Sequence, residues 1–131
     1  MDTKFIVIFS TILLILDILW IGIINKNLWN NHLLSIQKEP LKIKPIYGLL
    51  CYIVIIASTL YFVQNDINKE NYKYNSLVKG FLFGFSLYAV YDFTCLAIFN
   101  NYRIDIAIMD MIWGGLLIAF SLFISNYYIY R

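Results

Sequence analysis

Charge is what this chain lacks most. Asp, Glu, Lys and Arg make up 14% of its 131 residues, against about 25% in ordinary soluble domains. A water-soluble fold of this length could not cover its surface with so few charged side chains. Histidine occurs once and cysteine twice. Those three residues lie far apart, which excludes the Cys/His spacing of a structural zinc site and leaves no disulfide framework. Cys51 and Cys95 fall inside apolar runs and are expected as buried thiols. The net charge of +2 is too small to argue for a nucleic-acid partner. No serine shares a span with a histidine, and there is no glycine-rich phosphate loop. No cofactor is expected.

What fills the chain instead is hydrocarbon. Hydrophobic residues are 61% and aromatic residues 18%, and the mean hydropathy is +0.71. A membrane-spanning helix needs about 20 mostly apolar residues. Four segments qualify: 5–24, 45–63, 77–99 and 104–125. The sequence therefore predicts an all-α, integral-membrane four-helix bundle with antiparallel up-down topology, built as a single transmembrane domain over 1–131. The first apolar run is longer than a cleavable signal core of about 7–15 residues and no small-x-small site follows it, so it is expected to be retained. Pro45 suits the first turn of a helix, where no N–H partner is needed. "NNYR" after the third span is short enough to force a hairpin, and "NNHLLSI" in the first loop is a candidate interfacial helix. Lys26, Lys38, Lys42, Lys44 and Arg103 on one side balance Lys4, Lys69, Lys73, Lys79 and Arg131 on the other. The positive-inside rule thus ties, and neither the orientation nor the identity of the membrane follows.

Three acids interrupt the apolar spans. Asp17 and Asp92 each lie seven residues before the end of their helix, and Asp110 lies six residues into its own. At about 1.5 Å of rise per residue, all three sit roughly 10 Å below the same surface. An Asp near mid-membrane costs about 2.5–3.5 kcal/mol, and close carboxylates cannot all be ionised without a counter-charge. Tyr52 and Tyr88 fall near the same level and are candidate hydrogen-bond donors. Asp17, Asp92, Asp110, Tyr88 and Tyr52 are thus the candidate ion, proton or substrate site. Gly22, Gly84 and Gly114 are candidates for close helix packing, as is the Gly80–Gly84 pair in "GFLFG". Trp20 is read as an interface anchor.

"LDILWIG", "KGFLFGFSLYAVYDFTCLA" and "DMIWGG" together resemble a family of small predicted membrane proteins of unknown function. That family carries LDxxWxG, YDLTN-like and DxxWG motifs in the same order. The resemblance implies four transmembrane helices and puts Trp20, Tyr91, Thr94 and Trp113 at supporting motif positions. Cys95 stands where the pattern usually has Asn. No activity comes with the resemblance. Three functions stay open: proton or cation handling, lipid modification or lipid binding, and structural packing in which the acids act as glue. The lipid bilayer is the expected surroundings, and a homo-oligomer is expected because four short helices leave little room for a private pore.

Overall fold

The computed structural model describes residues 2–131. Four long apolar helices dominate it. Helix α1 (Thr3–Leu19) begins where the Asp2 carboxylate accepts a hydrogen bond from the Lys4 amide at 3.0 Å, capping an otherwise unpaired donor. It runs on through one wide π-turn, Trp20–Ile24, closed by the Asn25 amide on the Trp20 carbonyl at 2.9 Å. A short polar helix, α2 (Lys26–Gln37), follows. It stops at Lys38, which adopts a left-handed φ of 63°, and Pro40 two residues on cannot resume a helix.

Helix α3 (Pro45–Phe62) starts with Pro45 in its first turn and passes into a 3₁₀ turn, Gln64–Asp66. Helix α4 (Tyr72–Ile98) and helix α5 (Ile104–Tyr130) form the hairpin demanded by the short loop. Both outrun the apolar segments. Helix α4 gains a polar first turn at Tyr72–Ser76, and α5 runs through Asn126 to Tyr130, because their amphipathic ends reach the headgroup level.

Small residues set how close α4 and α5 come. A Cβ on Gly84 would lie 2.2 Å from the Gly114 carbonyl oxygen, and one on Gly80 would lie 3.0 Å from the Ala119 backbone. Two aromatic rings occupy the remaining gaps: Tyr88 lies over Gly114 and Phe81 over Gly115. Helix α5 is the hub. Leu117, Ile118 and Leu122 meet Phe5, Phe9 and Leu13, which recur every four residues along one face of α1. Gly22 has no such role, since only Ile18 of its own helix lies within reach of an added Cβ.

Near the chain termini, the buried amides of Gln64 and Asn126 bond each other reciprocally at 2.9 and 3.0 Å, and Asn126 also donates to Ser76 Oγ at 3.1 Å. That clasp ties the α3 exit to α4 and α5. Elsewhere α3 stands off: Thr59 is its one buried residue, and its apolar side chains from Ile46 to Phe62 are largely exposed.

Candidate functional site

The three acids are all buried, with exposures of 3% for Asp17, 0% for Asp92 and 6% for Asp110. They do not meet at a single point. They form two adjoining centres beside one cavity.

The first centre is Asp17 on α1. Its Oδ2 accepts the Tyr52 hydroxyl from α3, and its Oδ1 accepts Trp113 Nε1 from α5 at 3.1 Å. One acid thus pins three helices. Trp113 also stacks on Trp20, with centroids 4.4 Å apart and planes 6° from parallel. Trp20 is therefore a packed partner within the helix assembly. The two Asp-x-x-Trp segments cooperate across the bundle. The Trp of the α5 segment bonds the Asp of the α1 segment, which antiparallel helices allow and a single helix face does not.

The second centre is Asp92 on α4. Tyr102, in the α4–α5 loop, donates its hydroxyl to Asp92 Oδ1 at 2.8 Å. Asp110 on α5 lies within hydrogen-bonding reach of Asp92. The other oxygen, Asp92 Oδ2, is buried without a donor. Two adjacent carboxyls in a dry site cannot both be ionised without a counter-charge. Arg103 does not serve as counter-charge. It is committed to Asp105 at 2.5 Å at the exposed start of α5. Among the described residues no group of three His, Cys, Asp or Glu side chains is placed to hold a metal ion.

Tyr102 and His32 are site residues that sequence reasoning missed. His32 on α2 is 3% exposed and packs edge-on against Tyr102 with centroids 4.6 Å apart. Neither ring nitrogen has a partner. Burial, then the nearby Arg103 charge, holds His32 below its usual range, so the ring is neutral at pH 7. Burial and the bond to Asp92 push the Tyr102 hydroxyl up, so it remains a proton donor. The signals were present but weak: the single histidine of the chain, and a tyrosine in a hairpin loop too short to carry it away from the acid on the preceding helix.

Between α3 and the rest lies a cavity of about 510 Å3. Asp17 and Asp110 reach it, with Tyr52, Tyr88 and Tyr91, and its other walls are mostly apolar. Trp29, Asn30 and Leu33 of α2 and Leu41 of the following loop close the end nearest the surface. The side between α3 and α4 is incomplete: Val54 and Tyr91 are exposed there, and so is Cys51, against the expectation of a buried thiol. Cys95 is buried beside Tyr102 and Met111. Thr94 is exposed, and its hydroxyl returns to the Val90 carbonyl at 2.6 Å, a local bond within α4.

The chain matches, over residues 3–127, the family described as "Predicted membrane protein (DUF2177)", and it belongs to that family. No curated protein and no solved structure matches it. Family and fold agree on a multi-pass integral membrane protein.

Proposed function

We propose that this membrane protein handles a lipid-like amphiphile, as a lipid-modifying enzyme or as the lipid-binding partner of one. The observation that carries this reading is the cavity. It has the volume of a small-molecule site, about 300–1,000 Å3, and it is apolar over most of its wall. It opens sideways between α3 and α4, where only an acyl chain or another apolar group is at hand. Two carboxyl groups end in it, held in different surroundings. Asp17 accepts hydrogen bonds from Tyr52 and Trp113. Asp110 lies beside the sealed Asp92. Two carboxyls in different surroundings at one apolar cavity are the components of general acid–base chemistry on a polar group near the chain.

The test is to purify the protein in mild detergent, identify any retained amphiphile by native mass spectrometry, and compare the lipids of cells expressing the parent, D17N and D110N. A retained amphiphile together with an altered lipid profile that D110N abolishes supports an enzyme. Retention without an altered profile supports a binding partner. No retained amphiphile and no change in lipids overturns the reading.

The Asp92–Asp110 pair favours a second reading, proton or cation handling in a homo-oligomer, because two buried acids side by side within the spans are relay candidates. In that case purified protein in liposomes dissipates a pH gradient and D92N does not. A parent protein without flux rejects it.

A further inference from the structure

The proposed lipid site has a charge polarity along its length. Asp17 reaches it at the level of Tyr52, partway along the α3 wall, and Asp110 lines it too. At the outer end, the segment 38–44 runs from the end of α2 to the start of α3 and lays Leu41 against the cavity. Lys38, Lys42 and Lys44 sit in that segment, all exposed, with Glu39 the one acid among them. Among the described residues the ion pairs are Lys79–Asp66 and Arg103–Asp105, so none of the three lysines is neutralised by a neighbour. Lys44 directly precedes Pro45 and contributes no side-chain cap to α3. The α2–α3 segment thus carries uncommitted positive charge beside the outer part of a cavity whose acids lie deeper in.

We infer that the cavity binds an anionic phospholipid, with its phosphate at Lys42 and Lys44 and one acyl chain running inward past Gly48 toward Asp17 and Asp110. This deepens the lipid reading above and rests on it. Clustered lysines beside a membrane helix attract anionic headgroups. The acids below repel a negative group from the interior, so the headgroup is turned outward and the chain inward. The cavity wall on α3 extends from Gly48 to Ser58, about 15 Å at 1.5 Å per residue, long enough to hold much of one acyl chain in register with the carboxyls.

The structure also supplies a blocking variant. Gly48 lines the cavity, and an added Cβ there meets nothing within 4 Å. Gly48→Leu therefore adds an apolar side chain to the cavity wall at a position where its Cβ is unopposed. The experiment offers the delipidated protein an equimolar mixture of phosphatidylglycerol, phosphatidylcholine and oleate, and native mass spectrometry counts what is retained. The parent is expected to retain phosphatidylglycerol over phosphatidylcholine. The double variant K42Q/K44Q is expected to lose about tenfold of that preference while still binding lipid. Gly48→Leu is expected to lose retention of both lipids, with circular dichroism checking that each variant is folded.

Equal retention of the two phospholipids, an unchanged preference in K42Q/K44Q, or oleate retained over phosphatidylglycerol overturns the headgroup assignment and leaves the lipid cavity standing. A folded Gly48→Leu that retains lipid like the parent overturns the placement of the chain. No lipid on the parent protein overturns the cavity reading as well.

Discussion

Gly84→Ala puts the helix packing to its sharpest test. The new Cβ would stand 2.2 Å from the Gly114 carbonyl oxygen and 2.8 Å from Ile118 Cγ1, where ordinary contact begins at 3.4 Å. A backbone oxygen inside a helix cannot rotate away as a side chain does. Helices α4 and α5 must therefore separate by about 1 Å, which also loosens Tyr88 on Gly114 and Phe81 on Gly115. Overpacking of this kind costs about 1–3 kcal/mol, and the rigidity of the obstacle puts it near the upper end. Alanine returns about 1 kcal/mol of helix propensity relative to glycine, so the net loss is about 2 kcal/mol. Gly48→Ala is the matched control. It is the same chemical change in a helix, but with nothing within 4 Å, and it should gain up to about 1 kcal/mol. The two variants should thus differ by about 3 kcal/mol in SDS-titrated unfolding from mild detergent, followed by circular dichroism. If Gly84→Ala unfolds within about 0.5 kcal/mol of Gly48→Ala, the close approach of α4 and α5 is wrong.

Tyr52→Phe removes one of the two donors to Asp17 and should destabilise by about 1 kcal/mol in the same titration, near the average worth of such bonds in membranes of about 0.6 kcal/mol; Tyr61→Phe, on the exposed side of α3, should change nothing measurable. Asn126→Ala leaves the buried Gln64 amide without its reciprocal partner and should cost about 1–3 kcal/mol, whereas replacing both by apolar residues of similar size should cost less than the single change. His32 is held below its ordinary value of 6.5 by burial and by Arg103, opposed by the acids Asp105 and Asp92. Above that value it is neutral folded and unfolded and carries no penalty. Below it the unfolded chain takes a proton that the folded one resists, so stability falls as the pH falls. His32→Gln should flatten the change in stability between pH 7 and pH 5, and identical slopes for parent and variant would refute the buried neutral ring.

Much of the candidate site was legible because the membrane penalises charge. An acid in a lipid-crossing helix is conspicuous, so Asp17, Asp92 and Asp110 stand out of the apolar runs, and one rise per residue puts them at one level. Tyr52 could be placed by the same count, since Pro45 marks where α3 begins. The partners of these acids were harder to see. Tyr102 reaches Asp92 from a loop, Trp113 reaches Asp17 from a helix that runs the other way, and His32 sits in a helix too polar to be read as part of the bundle. The Gln64–Asn126 clasp joins residues 62 positions apart, with no local pattern to announce it.

The sequence by itself determined that the chain crosses a membrane as helices, where they lie, and how deep their acids sit. Those are properties of single segments, set by transfer of side chains into hydrocarbon and by the need of each span to satisfy its own backbone. Only the tertiary structure decided which acid pairs with which, that α3 stands away from α4, and that the space between them is a cavity lined by carboxyls. Those depend on how each helix is rotated about its axis and how closely its neighbours approach, and that is fixed by contacts such as Gly84 against Gly114, made between residues far apart in the chain.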